Sequence, residues 1–345
     1  MFKRTFQHYK RKSSPPDLQD VIDVDLYETN KLSHSWHNLV KPLHLSELNQ
    51  NEGRLRQSVG LQPENMWRCY RLLNHPGLLL IRNPFTSSGQ RYWIARSLQD
   101  YSRPPNISNL DRTKFSPAAL SNWWRELQDC TDAVLSNHLK IAMRWTTLGY
   151  HHNWDTKVYD EAMQSTFPGD LSSLCQLFCQ ALGYSNFTPQ AAIVNYYPLG
   201  TCLSGHTDHS ELNHNAPLFS YSFGQSAIFL IGGTSLNELP TALYLRSGDV
   251  LVMSGPSRLC YHAVPRVMKT DQQPWNAAEP KHETVRITDN IEPIDTKMNK
   301  SLDSPLRDNI INEIFWHPFN HFISGSRINI NVRQVLPPGM HQIPS

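Results

Sequence analysis

No apolar run in the chain approaches the roughly 20 residues that a membrane-spanning helix needs, so a soluble protein with no membrane partner is expected. An excess of charge of one sign is missing too. Lys and Arg number 32 against 30 Asp and Glu, a formal charge of +2, which excludes a polycation and leaves any nucleic-acid footprint to local clustering. There is no CxxC pair and no secretory signal, so the six cysteines of these 345 residues read as reduced thiols of an intracellular protein. No internal repeat is present. What the chain does have is 39% hydrophobic and 10% aromatic residues, enough for a packed core. Its 16 His and 9 Trp invite a search for a metal site and for stacking surfaces.

Residues 1–20 open as a basic arm, with Lys3, Arg4, Lys10, Arg11 and Lys12 and no acid in the first sixteen. A mitochondrial presequence, a nuclear address, a nucleic-acid arm and a solvated, frayed terminus all fit that pattern, and it does not separate them. Residues 21–140 read as mainly helices and loops. Ser116-Pro117 looks like an N-cap with Pro at the first helical position, followed by Leu120, Trp124 and Leu127 at helical spacing. Around 77–84, GLLLIRNP looks like a short buried strand stopped by Asn-Pro. Asp170 opens a helix whose apolar face carries Cys175 and Cys179, which favours core packing over a metal or redox pair, and Gly183 ends it. Beyond 186 the period shortens to two, and several short strands argue for a sandwich or jelly roll. The polar, Pro-rich stretch 265–320 reads as a partly flexible insertion with a short helix near 306–316.

His206 and Asp208 stand two apart after the strand AAIVNYY, so an imidazole and a carboxylate can face one cation. Alone this is weak: with so many histidines about one His-x-Asp is expected by chance, and His209-Ser210-Glu211 repeats the pattern. His262 follows another apolar strand, and a jelly roll could bring it in to complete the two-His-one-carboxylate face of non-haem Fe(II) oxygenases. The strand Arg327–Arg333 alternates strictly, with Arg327, Asn329, Asn331 and Arg333 opposite Ile328, Ile330 and Val332. A solvated edge strand would alternate likewise, but two guanidinium forks beside a metal site suit a dicarboxylate.

The segments NYYPLGTCLSGHTD, SFGQSAIFLIGG, SGDVLVMSGPSRLCYHAV and RININVR together resemble the AlkB family of Fe(II)- and 2-oxoglutarate-dependent nucleic-acid dioxygenases. FKRTFQHYKRK, GLLLIRNPF and LGYHHNWD extend the resemblance, toward the animal homologue 1 branch, over nearly the whole chain. The resemblance implies a mainly β core, a double-stranded β-helix or jelly roll over 141–337, with a helical N-terminal extension, flanking helices and a tail at 338–345. It implies Fe(II) on His206, Asp208 and His262, with 2-oxoglutarate and O2 as cosubstrates. Asn195, Tyr197 and Arg327 would hold the far carboxylate of 2-oxoglutarate, while Asn329 and Arg333 serve its near end and orient the ligating carboxylate. Trp145 would stack on a substrate base and Tyr150 meet a phosphate; core packing is an equal reading of Trp145. The expected activity is oxidative demethylation or oxidation of methylated bases, in transfer RNA (1-methyladenine or 5-methylcytosine) or DNA, flipped or unpaired, in the nucleus, the mitochondrion or both, with the cytoplasm as an alternative. Ser210 departs from the family pattern, which has an acid there, so base recognition need not follow it. An oxygenase of histone side chains and a non-catalytic nucleic-acid-binding protein remain as rivals.

Overall fold

The computed structural model describes residues 1–12, 16–29, 31, 34–45, 60–184, 186–278 and 303–344. Its strands are β1 (Val40–Leu43), β2 (Arg68–Leu72), β3 (Leu78–Arg82), β4 (Ile107–Ser108), β5 (Trp145–His152), β6 (Tyr159–Gln164) and β7 (Ala191–Pro198). β8 (Leu203–His206), β9 (Leu218–Gly224), β10 (Ser226–Ile231), β11 (Thr241–Leu245), β12 (Val250–Met253), β13 (His262–Met268) and β14 (Ser326–Arg333) follow. They build a ten-stranded sheet in the order β1-β2-β3-β12-β9-β14-β7-β5-β4, with β6 on β5, and a four-stranded sheet β11-β10-β13-β8. Neighbouring strands run antiparallel, in a jelly roll with helices on its flanks.

Alternation decides which side chains enter the site. In the large sheet Phe219, Tyr221, Phe223, Val250, Val252, Ile328, Ile330 and Val332 face one way, into a core shared with the helices Ser87–Gln99 and Gly169–Leu182. The opposite face sends Leu218, Leu251, Met253 and Tyr197 against Phe229, Leu243, Leu245 and Val264 of the small sheet. At roughly 1.5–3 kcal/mol for each large apolar side chain buried, these two cores hold the sheets face to face. Both faces of β10 are covered, so its sequence SAIFLI is apolar throughout rather than alternating.

The N-terminal arm is not a frayed terminus. α1 (Phe2–Lys10) places Phe2, Phe6 and Tyr9 at helical spacing on the outer face of the small sheet, with Ile228, Leu230, Ala242 and Ala263. Gly205 and Gly232 let it in: a Cβ at either would lie 2.9 Å from the Phe2 ring.

Residues 21–140 are also more than helical. β1, β2 and β3 extend the large sheet, β3 pairing with β12, so position 141 separates nothing in the sheet. β1 and β2 are too short, at four and five residues, for a two-residue period to stand out. The helix foreseen after Ser116 is capped by that residue but breaks at Asn122, which caps a second helix, Trp123–Asp129. The helix Gly169–Leu182 ends on left-handed Gly183, with Cys175 and Cys179 buried in the core. Within 265–320, β13 reaches Met268, Trp275 is fully buried, and helices form at Ser304–Asn309 and Glu313–Ile323. The stretch 279–302 lies outside the described residues. Among those described, no helix is long and apolar enough to cross a membrane.

Candidate metal and 2-oxoglutarate site

The small sheet brings the histidines together. β8 pairs with β13 so that His206 stands directly across from His262, with ring centroids 4.3 Å apart. Asp208 lies just past the end of β8 rather than within it. The loop still returns its carboxylate to 3.8 Å from His206 Nε2 and 3.7 Å from His262 Nε2. One ligand atom from each residue fits within 4.8 Å of the others. Both Nδ1 atoms are occupied by backbone carbonyls, His206 with Ser204 at 2.9 Å and His262 with Cys260 at 3.1 Å. Those bonds leave each Nε2 toward the carboxylate, the arrangement in which backbone carbonyls bonded to the other ring nitrogen orient metal-binding imidazoles.

The electrostatics suit a cation. Burial by itself would raise the Asp208 carboxyl, but Arg333, His262, His206 and Arg258 together hold it well below the usual range, so it stays ionised. Burial, then repulsion from His206, pushes His262 down to about 4, leaving a neutral imidazole whose lone pair is free to ligate.

The large sheet supplies the opposite wall. Trp145, Asn195, Asn329 and Ser222 are in register across β5, β7, β14 and β9, and Tyr197 and Arg327 form the next row across β7 and β14. Arg327, Asn329 and Asn331 line a cavity with Tyr197, His206, Asp208 and His262. β14 is therefore an interior strand and its polar face is enclosed. Arg327 is 1% exposed. Its Nη2 donates to Ser222 Oγ at 2.9 Å, while Nε and Nη1 are buried with no hydrogen-bond partner. Burial lowers its pKa to about 10, which still leaves it charged at neutral pH. A buried guanidinium with unmet donors facing a cavity is what a carboxylate terminus would complete. The donor set thus fits both Fe(II) and 2-oxoglutarate. Asn329 is committed within the sheet, donating to Ser220 Oγ at 2.8 Å and to the Tyr221 carbonyl at 3.0 Å. Arg333 Nη2 sits 3.0 Å from Asp208 Oδ2.

Two further expectations divide. Trp145 is half-buried in the row beside Asn195, its ring 5.0 Å from Trp154, which is 38% exposed. The Tyr150 hydroxyl already has a partner within the protein. The residue is 7% exposed, packs with Tyr159, Val335 and Leu336, and donates its hydroxyl to Glu161 at 2.9 Å. A carboxylate at that hydroxyl repels a phosphate. Ser210 bonds His152 Nε2 at 3.0 Å, so the position where the family pattern has an acid ties the β5 end to the ligand loop.

The sequence reading missed Glu211 and Arg258, both almost wholly buried and paired at 2.8 Å beside Asp208. A signal existed: Glu211 is three residues past a ligand and Arg258 four before one. Charged residues near turns are common enough on solvated surfaces to hide it.

A family model described as 2OG-Fe(II) oxygenase superfamily matches residues 77–333, most of the chain and every residue of this site. The chain is an Fe(II)- and 2-oxoglutarate-dependent oxygenase of the AlkB type. The oxygenase is similar to the Mus musculus protein named "Nucleic acid dioxygenase ALKBH1", at 36% identity over 98% of this chain and 84% of that one. The Homo sapiens protein of the same name is 34% identical over 97% and 84%. A Schizosaccharomyces pombe protein named "tRNA demethylase abh1" is 33% identical over 58% of the oxygenase and 72% of its own length.

Proposed function

We propose that the oxygenase oxidises methyl groups on nucleobases presented unpaired or flipped, with transfer RNA as its main substrate class and methylated DNA as a second. The observation that carries this reading is Trp145 on β5, in register with Asn195 and through it with Asn329 of the cavity wall, its ring 5.0 Å from that of the part-exposed Trp154. The names of the mouse, human and fission-yeast relatives support it.

Fe(II), with 2-oxoglutarate and dioxygen, supplies the C–H oxidation when bound. The chain's own residues do the rest. His206, Asp208 and His262 would hold the metal, each with one ligand atom. Arg327 would hold the far carboxylate of 2-oxoglutarate, with Tyr197 beneath it at that end of the cavity between the two sheets. A base stacked in a duplex cannot reach such a recess, hence the demand for an unpaired or extruded one. A methyl on nitrogen, once hydroxylated, leaves as formaldehyde; one on carbon stays.

The test is nucleoside mass spectrometry of cellular RNA and DNA incubated with the oxygenase, iron and 2-oxoglutarate. The expected result is depletion of 1-methyladenosine, or conversion of 5-methylcytidine, that requires both additives. Turnover of methylated histone peptides with no change in either nucleic acid would overturn it.

A further inference from the structure

Behind Asp208 lies a buried charged group formed by Glu211, Arg258 and Arg333. Arg258 is 2% exposed and spends its whole fork there. Nη2 donates to Glu211 Oε2 at 2.8 Å, Nη1 to the Asp208 carbonyl at 2.6 Å and Nε to the Ala216 carbonyl at 3.2 Å. Glu211 Oε1 accepts from the Tyr159 hydroxyl at 2.9 Å and lies 3.2 Å from Arg333 Nε, while Arg333 Nη2 reaches Asp208 Oδ2. Arg258 therefore pins the backbone of the ligand residue, Arg333 pins its side chain, and Glu211 holds both arginines.

Charge makes the same point. Asp208 and Glu211 carry two negative charges against two positive ones on Arg258 and Arg333, so the group is neutral when all four are ionised. Without Glu211 it would carry a net positive charge, beside the place a divalent cation must enter, in surroundings where screening is weak. Arg333 alone would compete with a metal for the carboxylate it is supposed to present.

We propose that Glu211 is a positioning residue for the metal: acting through Arg258 and Arg333, it keeps the Asp208 carboxylate aimed at, and electrostatically open to, a divalent cation. The proposal rests on the reading of His206, Asp208 and His262 as ligands.

The experiment measures Mn(II) binding to the metal-stripped full chain, by the electron paramagnetic resonance signal of free Mn(II), with thermal melts alongside. Glu211→Gln keeps the shape and removes the charge, and should weaken Mn(II) binding about 10- to 100-fold, the usual cost of losing a residue that orients a metal ligand. Tyr159→Phe removes only a neutral contact to the same oxygen, and should stay within about threefold of wild type whatever it does to the melt. Arg258→Lys keeps the charge but loses the fork; should Glu211→Gln fail to fold, this variant is read instead and should lose about tenfold. Folded Glu211→Gln that binds Mn(II) within about threefold of wild type overturns the proposal, and so does a Tyr159→Phe loss equal to that of Glu211→Gln. Wild-type protein that binds no Mn(II) would instead overturn the ligand reading itself.

Discussion

Arg327 lies directly across the β14–β7 ladder from Tyr197, its guanidinium carbon 5.5 Å from the centroid of the Tyr197 ring. The aromatic face supports the cation from one side and Ser222 takes one of its nitrogens. The two unpartnered nitrogens are then held in a fixed direction. The site is thus prepared for an anion before one arrives, which is the arrangement that spares binding energy on reorganisation.

Arg327→Ala should therefore act on the cosubstrate and leave the metal alone. Losing one side of a buried charge pair costs about 2–5 kcal/mol, so the KM for 2-oxoglutarate should rise roughly 30-fold or more. Mn(II) affinity measured without 2-oxoglutarate should be unchanged. A KM near the wild-type value would remove Arg327 from the cosubstrate site.

His206→Ala and Asp208→Ala should each abolish 2-oxoglutarate-dependent succinate formation, because two remaining ligands do not hold Fe(II) in an open facial site. Succinate release and metal content by atomic absorption check this together. Full iron occupancy in either variant would contradict the ligand set.

Trp145 and Tyr150 should behave oppositely. Loss of base stacking in Trp145→Ala costs about 1–3 kcal/mol, a 5- to 150-fold fall in kcat/KM for nucleic acid, with substrate-free decay of 2-oxoglutarate unaffected. Tyr150→Phe removes the bond to Glu161 and should cost about 1 kcal/mol of stability while leaving kcat/KM within about twofold. Steady-state assays on the same methylated oligonucleotide compare the two.

Glu64 carries a pH signature in stability. Burial raises its carboxyl from the ordinary range to about 7, and its Oε1 is enclosed without a hydrogen-bond partner. The folded state thus binds a proton more tightly than the unfolded state. Stability from this group is fully present below the unfolded pKa near 4.5 and is lost as pH rises to about 7. Glu64→Gln should raise the melting temperature at pH 8, by about 2 °C, with the gain gone at pH 4. Equal melting shifts at both pH values would refute the assignment.

Phe6→Ala should loosen α1, since truncating a buried Phe costs about 3–5 kcal/mol. Limited trypsin digestion should then cut after Lys3 and Arg4 faster than in wild type, and the dioxygenase core should remain intact.

Several features were legible before any coordinates. The strict alternation Arg327–Arg333 showed a strand with a polar and an apolar face. Ser116 and Gly183 marked helix ends because capping chemistry is local. Other features were hidden for equally physical reasons. β1 and β2 are too short to display a period, so the N-terminal third read as helices. Tyr150 sits in a motif that suggested a phosphate contact, yet its partner, Glu161, comes from the neighbouring strand. The basic face of α1 is conspicuous, but its docking depends on Gly205 and Gly232, two hundred residues away.

The amino-acid order by itself determined the ligand types, the strand faces and the family, because donor chemistry, periodicity and motif spacing are written along the chain. Whether the arginines of β14 face water or a cavity, and which charges stand behind Asp208, was decided only when the two sheets closed. Burial and pairing depend on what arrives from elsewhere in the fold, and β6, β14 and the loops before β9 and β13 all had to arrive before Glu211 and Arg258 acquired partners.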